Sequence, residues 1–307
     1  MSAVMVLFAT AQASCTATGT GASTETKTGT EIRVTMAEGA RGLKQAVSTA
    51  RPGDVILLEP GQYVFSGDEA VGLALSNSGR QNASITLRGD GGNAILNCGE
   101  MSREAGVTCL QITGDWWNLE KLGVTRARQN AQGAWSIGIH LEGASHNRLT
   151  DVESFANEGP GILVTGRSAS NLIEQCTSHD NYDPLATPPG GNADGIQLAY
   201  LTTDAVGNVV SNCKSFSNSD DGFDLWEAEA PVTIHNSEAT RNGYVPGTSN
   251  PAGDGNGFKL GRNKTGPAHF IVQNVASNNR YHGFVANQAS LPAIMRDNQS
   301  FGNGVPN

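Results

Sequence analysis

Asp194, Asp220, Asp221 and Asp224, with Lys259, occupy three segments of similar pattern. These are Asn192-Ala193-Asp194-Gly195, Ser219-Asp220-Asp221-Gly222-Phe223-Asp224-Leu225-Trp226 and Gly255-Asn256-Gly257-Phe258-Lys259-Leu260-Gly261. Taken singly, each aspartate is an ordinary turn residue. Gathered at one place, four carboxylates require a counter-ion or raised pKa values. Oxygen-only ligands favour a hard cation, and an irregular, loop-borne set favours Ca²⁺ over Mg²⁺. No Cys or His stands among them, which weighs against zinc. Lys259 interrupts an apolar strand. Beside a bare Asp224 it reads as a structural salt bridge with a raised pKa. A bound Ca²⁺ reverses that sign. Below its ordinary value of about 10.4, a lysine serves as a general base.

A repeat must bring these residues together. The pattern Gly, Ile or Phe, variable, aliphatic begins at Gly138, Gly161, Gly195, Gly222, Gly257 and, more weakly, Gly283, at intervals of 23, 34, 27, 35 and 26 residues. Between the copies lie short apolar strands that end near Asn157, Asn181, Asn218, Asn242 and Asn303. A helix-free unit of this size cannot bury its apolar side alone, but stacked units can. The pattern therefore predicts an all-β, right-handed parallel β-helix, with turn asparagines bonded up and down the column. Residues at equal offsets from the repeated glycine become neighbours one rung apart, about 4.8 Å. The column before the glycine reads Pro160, Asp194, Asp221, Asn256, His282, and the column two residues after it includes Gln197, Asp224 and Lys259. The variable residue lies between inward-facing apolar ones and points outward. The four carboxylates thus meet on one outer edge, flanked by two excursions, 183–193 and 243–255.

Residues 42–50 have helical spacing and predict a short helix plugging the N-terminal end of the coil. Residues 1–30 read as a signal-peptide remnant followed by a Thr/Ser/Gly-rich linker, with Cys15 a poor match to a lipidation site. The catalytic coil is expected over 31–307. Its C-terminal end reads as truncated, because Asn307 follows one more rung with no apolar cap. The formal charge of −9 argues against binding nucleic acid. No apolar run is long enough to span a membrane as a helix. The 38 glycines lack a collagen period and suit a turn-rich β protein.

The three segments quoted above resemble those of the family 9 polysaccharide lyases, pectate lyases built on a right-handed β-helix. The likeness covers roughly residues 53–303. It implies a secreted, monomeric enzyme in which Asp194, Asp220, Asp221 and Asp224 bind one Ca²⁺ and Lys259 abstracts a proton. The implied reaction is β-elimination in polygalacturonate, an acidic plant cell-wall polysaccharide. Ca²⁺ on the C6 carboxylate acidifies the C5 proton, and the rate falls as pH drops and Lys259 becomes protonated. A polyanion also needs local positive charge, for which Arg262, Lys264, Arg241 and Arg280 are candidates. Trp226, Tyr182 and Tyr244 are candidates for stacking on sugar.

Two other readings use the same coil. A polygalacturonase-type hydrolase would use a carboxyl pair instead of a metal cage, and Arg280-Tyr281-His282-Gly283 resembles the histidine motif of such enzymes. It leaves Lys259 without a role. A non-catalytic, wall-binding β-helix would carry its Ca²⁺ structurally. Among the cysteines, Cys98 and Cys109 are the better disulfide candidates in a secreted protein. Cys176 and Cys213 share a register, with parallel Cβ atoms that favour an unbonded interior stack.

Overall fold

The computed structural model describes residues 29–264, 266 and 268–305. The leader, with its linker and Cys15, falls outside the described residues apart from Gly29 and Thr30. The rest is a stack of parallel strands. Eight of them form one sheet, which ends in the run Ile162–Gly166, Ile196–Leu201, Phe223–Asp224, Phe258–Lys259 and Phe284–Val285. The remaining strands, apart from the helical segment, join a second sheet of seventeen. Pairing follows the repeat register: Gln197 opposes Asp224, and Asp224 opposes Lys259. Inside the coil, the rings of Phe223, Phe258 and Phe284 stack with centroids 4.6 and 4.7 Å apart.

Two internal ladders explain the sequence pattern. Asn157, Asn181, Asn218, Asn242 and Asn279 each donate a side-chain amide hydrogen bond to the asparagine of the next rung, the last of them to Asn303. Beside them, Ser178 and Ser215 donate to the carbonyls of Gly195 and Gly222 at 2.7 Å. A Cβ on Gly195 would stand 1.8 Å from Ser215 Oγ. The repeated glycine is therefore needed for room, since the serine ladder occupies the space of its side chain. In the second ladder a thiol stands in for an amide. The N–H of Cys176 points at Cys213 Sγ (3.4 Å), and that of Cys213 donates to Ser237 Oγ (3.1 Å). Cys176 and Cys213 are free and buried, as their shared register predicts.

The helix Gly39–Thr49 caps the N-terminal end and buries Leu43, Ala46 and Val47. It starts three residues earlier than the apolar spacing predicts, where Glu38 accepts from the amide and hydroxyl of Thr35 and fixes the entering turn. Cys98 and Cys109 form a disulfide across an eleven-residue separation. A loop of this length contributes about 3 kcal/mol on the chain-entropy account. The double variant Cys98→Ser/Cys109→Ser is expected to lose about that much in a denaturant titration.

Candidate active site

The two excursions wall the outer edge and also roof it. The loop at Gly190 packs against Ala252 and Ser219, and Gly253 lies against Gly190, Ser219 and Asp220. The carboxylates outside the coil are consequently buried, with Asp194, Asp220, Asp221 and Asp224 at most 3% exposed. Asp183 pins the first excursion, its Oδ2 accepting from the backbone and side-chain amides of Asn192. Burial pushes the Asp183 carboxyl up to about 6 from 3.8. A folded-state value above the unfolded one means that stability falls as pH rises through that window. The difference corresponds to up to about 3 kcal/mol. Asp183→Asn should therefore gain stability over wild type between pH 4 and 7, read from paired melting curves.

One carboxylate oxygen from each of Asp194, Asp220 and Asp221 lies within 4.8 Å of the others. Backbone donors orient them. Asp194 accepts from the Asp221 N–H at 3.0 Å, and Asp221 from the main-chain and side-chain amides of Asn256 at 2.7 and 2.8 Å. Asp224 falls outside this group of three and reaches it through Lys259. The lysine Nζ is 2.9 Å from Asp221, 3.5 Å from Asp224 and 3.1 Å from Asp254. Asp221 Oδ2 faces only the Lys259 ammonium, and Asp224 Oδ1 is buried without a hydrogen-bond partner. Burial first, then mutual repulsion, pushes Asp194 and Asp220 well above the usual carboxylate range. Burial likewise raises Asp224 to about 7, against the pull of Lys259. For Lys259, burial opposes the charge, but Asp221 and Asp224 outweigh it and hold the ammonium well above the ordinary lysine range. Buried carboxylate oxygens in an oxygen-only cluster fit a hard divalent cation.

The family described as Pel9A-like, right-handed β-helix region, matches residues 22–307. The chain belongs to this family. It is 32% identical over 272 residues to a pectate lyase L of Dickeya chrysanthemi, covering 85% of this chain and 60% of that protein. A pectate lyase L of Paenibacillus polymyxa (strain SC2) is 34% identical over 281 residues, 86% of this chain and 59% of the relative. The chain thus spans about 60% of the length of the curated relatives it matches. The crystal structure of pectate lyase Pel9A superposes with a TM-score of 0.77 at 28% identity, over 91% of this chain and 71% of that one. A rhamnogalacturonan lyase shares the fold, with a TM-score of 0.82 at 24% identity over 91% of this chain and 75% of that one.

Within this Pel9A-like coil the cationic candidates separate. Arg262 lies over the Trp226 ring, 4.5 Å from its centroid, and Lys259 Nζ is 4.9 Å from the same ring. Trp226 also packs beneath, against Ile137, Leu163 and Ala199. Arg280 lines a cleft of about 370 Å³ with Asp254, Asn256, Lys259, Tyr281 and His282. Its guanidinium donates to the carbonyls of Gly253 and Asp254. Lys264 and Arg241 are exposed and do not line that cleft, nor do Tyr182 and Tyr244, which are half-buried. Asp254 was not legible from the repeat. It sits at the end of an excursion with no partner in the columns, flagged only by the glycines on either side.

Proposed function

We propose that this chain is a secreted, Ca²⁺-dependent pectate lyase that cleaves polygalacturonate by β-elimination. The observation that carries the reading is the contact of one buried lysine with carboxylates of a cation-fitting cluster at the floor of an open cleft. Asp194, Asp220, Asp221 and Asp224 would hold the ion. Bound Ca²⁺ supplies electron withdrawal from the C6 carboxylate of the sugar, which acidifies the C5 proton. Lys259 takes that proton. The C5–H electron pair forms the C4=C5 double bond, the C4–O4 bond breaks, and O4 leaves with a proton from solvent. With bare carboxylates around it, Lys259 stays charged and has no lone pair to offer. Pectate lyases among the relatives support the substrate class, and the Cys98–Cys109 disulfide supports an oxidising destination.

Mass spectrometry of the products tests the reaction type. Elimination leaves one new end of each cut lighter by a water than hydrolysis would. Full-mass fragments at both ends would instead establish a hydrolase.

A further inference from the structure

Three carboxylates touch Lys259 Nζ, and they differ in what else they serve. Asp221 and Asp224 are almost fully buried; Asp221 belongs to the cation-fitting group of three, and Asp224 is the fourth carboxylate proposed to hold the ion. Asp254 is outside that set, with its side chain 63% exposed to the cleft. Its backbone N–H donates to Asp220 Oδ1 at 2.5 Å, so one residue is tied to the lysine by its side chain and to the cluster by its main chain. The segment bearing it is cinched from below. Arg280 Nη2 donates to the carbonyls of Gly253 and Asp254. A Cβ on Gly243 or Gly255 would stand 2.6 or 2.9 Å from Arg280 Cβ, so both ends of the excursion close on this side chain. Both glycines have positive φ (95° and 75°), a backbone that a larger residue would strain.

Taking Lys259 as the base, we propose that Asp254 is a positioning residue for it, and that Arg280 acts through Asp254 instead of gripping substrate. A lysine side chain has four rotatable bonds, and proton abstraction needs its nitrogen within about 3–3.5 Å of the reacting atom. Asp221 and Asp224 draw Nζ inward, and both would also serve the bound cation. Asp254 is the carboxylate left to aim the amine at the cleft where C5 must lie. The guanidinium of Arg280 holds that carboxylate's backbone in place, which accounts for a half-buried arginine whose Nη2 faces main-chain carbonyls.

The experiment is a double-mutant cycle on polygalacturonate with saturating Ca²⁺, with calcium affinity measured separately by calorimetric titration. Asp254→Asn keeps the N–H to Asp220 and removes only the negative charge that faces Lys259. It is expected to lower kcat about 10- to 100-fold, with KM and calcium affinity each within about twofold. Arg280→Ala is expected to lower kcat similarly, Arg280→Lys to restore part of it, and Arg280→Ala with Asp254→Asn to be no slower than Asp254→Asn alone. Should Arg280→Ala fail to fold, as its melting curve would show, the Arg280→Lys and Asp254→Asn pair carries the same cycle. A rise in KM with kcat intact on changing Arg280, multiplying effects in the double variant, wild-type kcat in Asp254→Asn, or a tenfold loss of calcium affinity in it would each overturn the proposal. Failure of the lyase reading itself looks different: wild type would then yield no unsaturated product at all.

Discussion

Lys259→Ala is expected to reduce the elimination rate by about 10³-fold at saturating Ca²⁺, the range in which loss of a general base falls, while calcium affinity rises because a competing positive charge is gone. Alanine has no lone pair to accept the C5 proton. The same variant has a second signature in stability. Lys259 neutralises a crowd of buried carboxylates, and removing one partner of such a set costs about 3–5 kcal/mol. In chelator at pH 8, Lys259→Ala should melt well below wild type. Added Ca²⁺ should restore most of the difference, because the ion replaces the lost charge. At pH 5 the penalty should shrink without Ca²⁺, since Asp224, held up to about 7, takes a proton there. Calorimetric melting curves under the three conditions check this. A lysine that served only as a salt bridge would show the stability pattern with no loss of rate beyond it.

Asn218→Ala should produce the largest loss of stability, about 4–5 kcal/mol. The Asn218 amide is fully buried and donates to Ser178 O, Ser215 Oγ and Asn242 Oδ1, while its Oδ1 accepts from the main-chain and side-chain amides of Asn181. Truncation leaves groups on both neighbouring rungs without partners, at about 1–3 kcal/mol each. The residue stands at the turn that leads directly into Ser219, Asp220 and Asp221, so calcium affinity should fall with stability. Guanidinium titration should show a lower midpoint at unchanged slope. A change under 1 kcal/mol would mean that the amide column does not hold the rungs.

The register of the site was legible because each copy of the repeat adds one turn. Offsets from the repeated glycine therefore become spatial columns, and Asp224 beside Lys259 follows from counting alone. For the cysteines, spacing favoured Cys98 with Cys109 and strand direction favoured an unbonded Cys176 and Cys213 without settling either, and the structure has both. What the excursions do was not. Their lengths show that they leave the coil, but not that Gly190 and Gly253 meet over Asp220 and bury the cluster. Asp254 and the inward use of Arg280 depend on that closure. The reason for the glycines also emerged only in three dimensions: Gly138, Gly161 and Gly195 have ordinary φ and make room for a serine on the next rung, and Gly222 and Gly257 for the carbonyl of the next repeated glycine.

The most direct test follows absorbance of the unsaturated uronide while polygalacturonate is incubated with the protein, first in excess chelator and then after Ca²⁺ is restored. No absorbance in chelator and its prompt return with Ca²⁺ is the predicted result. Reducing ends that accumulate in chelator without absorbance would contradict it and assign the cleft to hydrolysis.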